Sequence, residues 1–177
     1  MIKQISIFAE NQKGAMLKMT GVLVDANINM YSLITNDSAE FGIVRILTSD
    51  SEKAARVLQE AGYLCHLDDV IALEISDAPG SLHHLLRDIH YSNVNIDYLY
   101  VTNSSHEETA LAVLHTPDIT EVELFLKYKG YKVLSQYSKQ FNRRQAKMVL
   151  FACRLLFATT VLNSYYYLSY YYLWIRL

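Results

Sequence analysis

The feature that most constrains this chain is a repeat. Displaced by 66 residues, Glu10-Asn11-Gln12-Lys13-Gly14-Ala15-Met16 falls on Ser76-Asp77-Ala78-Pro79-Gly80-Ser81-Leu82, and Asn27-Ile28-Asn29-Met30 falls on Asn93-Val94-Asn95-Ile96. Ala61-Gly62-Tyr63 then matches Lys129-Gly130-Tyr131 at an offset of 68, so two residues enter between these matches, in the Asn103 to Glu108 loop and near Pro117. Self-similarity at a fixed spacing means two copies of one structural unit.

The hydrophobic period says what that unit is. Ile5 to Phe8 reads as a strand, and Ala15 to Ala26 puts Met16, Met19, Leu23 and Ala26 on one face of a helix. Ile28 to Leu33 and Ile43 to Leu47 read as strands, Ser51 to Ala61 as a helix capped by Ser51 and stopped by Gly62, and Tyr63 to Leu67 as a closing strand. The second copy repeats the order through 70–75, 81–91, 94–101, 109–115, 118–129 and 131–135. Two βαββαβ units predict an α+β protein of two ferredoxin-like modules, each with two helices on one face of a four-stranded antiparallel sheet. The expected division is 1–68, 69–138 and a tail, 139–177. Only Leu67-Asp68-Asp69-Val70 links the copies, too short a tether for independent movement, so their sheets or helical layers are expected to pack together.

The repeated turn carries the chemistry. A helix that opens at Gly14 or Gly80 presents unpaired backbone N–H groups and the positive end of its dipole, which suits a carboxylate. Glycine lets a ligand come close to the backbone. Asn11 and Asp77, three residues earlier, can orient a second polar group, and Asp77 can offset an ammonium. A free α-amino acid needs these opposite partners a few ångströms apart. Ordinary helix capping uses the same residue types, with Pro79 at the helix start, and needs no ligand.

Charge and composition exclude other classes. All 18 acidic residues and 11 of the 16 basic ones precede residue 142, which leaves that part at −7 and the remainder at +5. An acidic body argues against nucleic acid, because affinity for phosphate is carried by basic charge. Base stacking on a sheet needs adjacent aromatics, where Ile5, Ile7, Ile43 and Leu47 are aliphatic. Cys65 and Cys153 form neither a disulfide framework nor a metal-ligand spacing, and fit a reducing, cytoplasmic setting. Met1-Ile2-Lys3-Gln4 leads straight into an alternating segment, so no secretory leader is expected. No histidine stands in an i, i+4 ligand pair; His83 and His84 are neighbours about 100° apart on a helix, and Cys65 is expected buried and inert with His66 on the opposite face. No enzyme, metal or cofactor is expected. Tyr98 and Tyr100 read as sheet-face residues, with Tyr98 close enough to the expected cleft to line it.

After Phe141 the composition changes. Residues 142–177 hold no acid, Gly or Pro, and Met148 to Ile175 carries Arg154 as its only charge over 28 residues. That length can cross a bilayer and has basic flanks in Arg143, Arg144 and Lys147, but Arg154, Asn163 and the tyrosine runs argue against it. A packed apolar helix or an untemplated reading-frame extension is favoured over a membrane anchor.

The strand, then Glu-Asn-x-x-Gly or Asp-x-Pro-Gly, then an apolar helix and an Asn-Ile-Asn or Val-Asn-Ile entry to the next strand, resembles the ACT domain. Ala39 to Arg45 and Val94 to Tyr98 further resemble stand-alone tandem ACT proteins, and the likeness covers about residues 1–138. The resemblance implies a regulatory module whose ligand, commonly an amino acid, sits between modules against the first strand-to-helix loop of one and the second-strand entry of its neighbour. Carried over by position, the implied contacts are Asn11, Gly14, Ala15, Met16, Asn29 and Met30 in copy one, and Asp77, Gly80, Ser81, Leu82, Asn95 and Ile96 in copy two. Lys13 stands where the motif usually has Pro, and Asp77 replaces the frequent Asn, so the two loops are not equivalent. The implied partners are a small-molecule ligand, a second copy of the chain and a regulated enzyme. The rival reading is an assembly module without ligand that dimerises through its sheets.

Overall fold

The computed structural model describes residues 1–36, 41–92, 94–104 and 108–135. The tail, with every reading of it given above, lies outside the described residues, as does Asn93. The elements run β1 (Ile2–Glu10), α1 (Ala15–Asp25), β2 (Met30–Asn36), β3 (Phe41–Thr48), α2 (Ser51–Glu60), β4 (Leu64–Ser76), α3 (Ser81–Tyr91), β5 (Tyr98–Asn103), β6 (Thr109–His115), α4 (Ile119–Tyr128) and β7 (Lys132–Val133). The order is βαββαβ twice, with β4 belonging to both units.

That sharing is the main departure from the sequence reading. The expected link at 67–70 is itself strand: Leu64 to Val70 pairs antiparallel with β1, and Ile71 to Ser76 pairs antiparallel with β6. Two adjacent aspartates look like a linker, but here each has a partner across the ladder. The Ser6 hydroxyl donates to Asp68 Oδ2 at 2.6 Å, and Lys3 Nζ meets Asp69 Oδ2 at 2.8 Å. The described strands run β2-β3-β1-β4-β6-β5, with β7 also on β4.

Alternation sorts the side chains of this sheet onto two faces. In the first unit Ile5, Ile7, Val44, Ile46 and Cys65 face α1 and α2, meeting Met19, Leu23, Ala54 and Leu58. In the second, Ile71, Leu73, Ile75, Ala112 and Leu114 meet Leu85 and Ile89 of α3 and Val122 and Leu126 of α4. The opposite faces then close on each other: Ile2 and Leu47 of the first unit share a third buried cluster with Val70, Ala72, Tyr100, Leu111 and Val113. The expected packing of the copies is therefore sheet to sheet, with the helices outside.

A polar knot sits in this inner seam. Gln4, fully buried, donates through Nε2 to the Tyr98 hydroxyl at 2.7 Å and accepts from the Tyr100 hydroxyl at 2.8 Å. The Arg45 guanidinium lies 4.0 Å over the Tyr98 ring, whose other neighbour is His115, stacked at 5.1 Å and held by Asp97 at 2.8 Å. Burial pushes the Tyr100 and Tyr98 hydroxyls above the usual tyrosine range.

Smaller differences have local causes. The cap of α2 is Asp50, whose Oδ1 accepts from the Lys53 N–H at 2.9 Å, while the Ser51 hydroxyl turns to the Lys3 carbonyl. β5 begins at Tyr98 rather than at Val94; Val94 and Ile96 instead pack against the second core. Cys65 is buried and burial raises its thiol pKa, while His66 is exposed on the other face.

Candidate ligand-binding turns

Each unit leaves its first strand through the same turn. After β1, the Gln12 N–H donates to the Glu10 carbonyl at 2.9 Å and the Ala15 N–H to the Gln12 carbonyl at 3.1 Å. Gly14 then takes φ +84°, the left-handed region open to glycine, and its carbonyl receives the Lys18 N–H as α1 begins. After β4, the Ser81 N–H donates to the Ala78 carbonyl, Gly80 takes φ +92°, and its carbonyl receives the His84 N–H as α3 begins. Both helices have glycine at the cap position, and glycine has no side chain with which to satisfy the next N–H groups. Neither Asn11 nor Asp77 occupies that cap position. α1 and α3 also lack an acidic residue in the first turn.

A cleft of about 480 Å³ adjoins the first turn. Its lining brings Glu10, Lys13, Ala15 and Lys18 together with Tyr63 and Leu64. Of the contacts implied for copy one, Ala15 is in its wall. Lys13, Lys18, Tyr63 and Leu64 were not among the implied contacts; the recurrence of Gly62-Tyr63 as Gly130-Tyr131 was the signal for Tyr63. At the second turn the missed residue is His84, whose Nε2 lies 4.0 Å from the point where a Cβ on Gly80 would sit.

The other implied residues divide by burial. Asn11, Gly14, Asp77, Gly80 and Asn95 are exposed, and Ala15, Asn29 and Ser81 are half-buried. Met16 and Met30 pack against the first core, and Leu82 and Ile96 against the second. Asn29 exchanges backbone contacts with Ser49, donating to its hydroxyl at 3.1 Å and accepting from its N–H at 2.9 Å. Tyr98 faces the seam between Arg45 and His115 rather than a turn.

Strand register fixes where these groups lie. The Gly14 turn follows β1 at the Leu64 end of β4, and the Gly80 turn follows Ser76 at its other end. At about 3.3 Å per residue the turns stand roughly 40 Å apart along β4. Met30 pairs with Thr48, level with Lys3 and Asp69, and Asn95 and Ile96 precede Tyr98, which pairs with His115 one step beyond the Ile71–Leu114 pair. Both strand entries therefore sit near the middle of β4, roughly 20 Å from either turn. Within one chain, no turn meets a strand entry.

Two ferredoxin-like units joined through a common strand, each opening its first helix on a left-handed glycine, define a paired-module fold. The chain belongs to the ACT domain pair family, which it matches over residues 1–123. It is similar to the crystal structure of a protein from Bacteroides thetaiotaomicron, at 31% identity and a TM-score of 0.71, over 75% of this chain and 91% of that one. It shares its fold with the ligand-free regulatory subunit of aspartate kinase from Thermus thermophilus, at 14% identity and a TM-score of 0.54, over 71% of this chain and 90% of that one. The regulatory subunit of aspartate kinase from Thermus flavus is similar to the same degree, at 16% identity and a TM-score of 0.53, over 72% and 90% of the two chains. No curated protein matches the chain. Among the described residues no helix is long and apolar enough to cross a membrane.

Proposed function

We propose that this is a non-catalytic, cytoplasmic regulatory protein of two ligand-binding modules, residues 1–68 and 69–138, that takes a free amino acid at its glycine turns. The observation that carries the reading is the pair of helix starts whose cap is a left-handed glycine, with no cap side chain to receive the backbone N–H groups of the first turn. A carboxylate suits that position, and Asp77 or Asn11 offers a partner for the ammonium. Because no turn meets a strand entry within one chain, the site is completed by a second copy, with Asn29 and Met30 or Asn95 and Ile96 brought against the turn of a neighbour. Occupancy then favours one association state, which a regulated enzyme can read; coupling of this kind is typically about 1 to 3 kcal/mol.

Thermal-shift measurements on the full chain with each of the twenty amino acids test the reading. A ligand at a hundred times its Kd stabilises the native state by about 2.7 kcal/mol, several degrees in Tm for a chain of this size. Asn11→Ala and Asp77→Ala, made separately, are expected to abolish the shift at the occupied turn while the unliganded Tm stays near that of the parent. If millimolar concentrations of every amino acid leave Tm unchanged, the assembly reading without ligand replaces this one.

A further inference from the structure

The helix repeat contains a contrast that ligand binding does not explain. On α1, Leu17, Gly21 and Val24 lie at i, i+4 and i+7, a single stripe on the side away from the core residues Met19 and Leu23. Leu17 is 44% exposed and Val24 50%. The equivalent positions of α3 are His83, Arg87 and His90, all exposed and polar, as a solvated helix face should be. The same surface of the same fold is thus apolar in one unit and polar in the other.

Gly21 sharpens the contrast. A glycine inside a helix costs about 1 kcal/mol relative to alanine. Among the described residues, no atom outside its chain neighbours and its own helix backbone lies within 4 Å of the point where its Cβ would be, so none of them requires the small residue. A glycine at the centre of an apolar stripe suits the close approach of a second helix.

The charges indicate which helix that is. α1 has no acid in its first turn and no base in its last. Its exposed charges are reversed, with Lys18 in the first turn and Asp25 in the last, each opposing the dipole of its own helix. By contrast α4 has Glu121 in its first turn and Lys127 in its last. Lys18 and Asp25 are seven residues apart and flank the stripe on one side. When two copies of α1 cross antiparallel about a two-fold axis near Gly21, that flank of one helix faces the same flank of the other. Lys18 then meets Asp25 of the second copy twice over, and each charge lies beside the helix end that favours it.

We propose that two copies of this chain associate through α1, antiparallel, with Leu17, Gly21 and Val24 at the seam and reciprocal Lys18–Asp25 pairs along its edge. The seam needs no ligand and is separate from the sheet edges. It is small beside the roughly 800 Å² per partner of a standard interface, so the dimer is weak and depends on concentration.

Sedimentation velocity of the full chain across a wide concentration range, with circular dichroism to verify folding, tests the proposal. Lys18→Asp and Asp25→Lys, made singly, turn two attractive pairs into repulsive ones and are expected to weaken dimerisation about ten-fold each. Because Lys18 also lines the cleft beside Gly14, the Asp25→Lys result gives the reading free of that site. The double reversal is expected to restore the parent constant. Independently, Gly21→Cys in a Cys153→Ser background is expected to form a covalent dimer on mild oxidation, and Arg87→Cys at the equivalent position of α3 is not. A parent chain that stays monomeric, single reversals that leave association unchanged, a double reversal that fails to restore it, or equal cross-linking at both positions would each overturn the proposal.

Discussion

Gly42 and Gly14 show how the same residue type is held by different forces. A Cβ on Gly42 would lie 2.9 Å from the Asn36 backbone carbonyl oxygen, and Gly42 is fixed in register opposite Ala9 of β1. The Asn36 carbonyl, at the last paired position of β2 with β3, is backbone and cannot turn away as the end of a side chain can. Gly42→Ala is therefore expected to cost about 1 to 3 kcal/mol, as overpacking does, read as a lower urea midpoint at unchanged slope. Gly14 has nothing among the described residues beyond its chain neighbours within 4 Å of its missing Cβ, so against them Gly14→Ala meets only the penalty of a left-handed backbone, about 1 to 2 kcal/mol. An unchanged midpoint for Gly42→Ala would show that β2 and β3 yield where their register says they are fixed.

Among the elements, α3 is fastened to the chain before β7 through Asp88: Lys129 Nζ lies 3.7 Å from its Oδ1, and the Tyr131 hydroxyl donates to its Oδ2 at 2.8 Å. That hydroxyl, with Lys129 and Arg87 nearby, holds the Asp88 carboxyl below its ordinary range, while burial and the carboxylate push Tyr131 up to about 12. The two signs define two windows. The contribution of Tyr131 is complete below the unfolded tyrosine value of 10 and is lost as pH rises from there through about 12. That of Asp88 is present above the unfolded aspartate value of 3.8 and disappears as pH falls through its lowered native value. In Tyr131→Phe the Asp88 carboxyl, followed by NMR, is expected to titrate nearer its ordinary range, and alkaline unfolding between pH 10 and 12 to become less steep. No movement of the Asp88 titration would mean that the lysine and arginine charges set its pKa. The helices and most strands were legible because periodicity and the 66-residue repeat are local or self-referential signals. The continuity of β4 was not, because what makes Asp68 and Asp69 acceptable in a strand is Ser6 and Lys3, 62 and 66 residues away. The candidate turns were visible in the spacing of Gly14 and Gly80, whereas the cleft beside Gly14 is built partly from Tyr63 and Leu64, which belong to another part of the unit.

At the scale of the whole described body, the seam between the sheets decides whether the two units behave as one. Its core is mostly apolar, but Gln4 from the first unit ties both Tyr98 and Tyr100 of the second. Arg45 adds a guanidinium over Tyr98 while its own Nε, buried, has no hydrogen-bond partner, so the knot has little room to lose another contact. Gln4→Leu keeps a side chain of similar length but leaves the Tyr100 hydroxyl without its acceptor in a buried place, and is expected to cost about 2 to 4 kcal/mol. Tyr100→Phe alone strands Gln4 Oε1 instead. The double variant removes both halves of the mismatch, so its cost is expected to fall short of the sum of the singles by about 1 kcal/mol or more. Urea unfolding of the four proteins measures this cycle, and the transition itself carries a second reading. With β4 threading both sheets and Gln4 bridging them, the loss of one unit exposes the inner face of the other, so unfolding is expected to remain a single transition in every variant. Additive costs together with a split transition would mean that the units are stable separately and merely adjacent. In that case occupancy of one glycine turn could not reach the other through the seam, and regulation would have to pass through association alone.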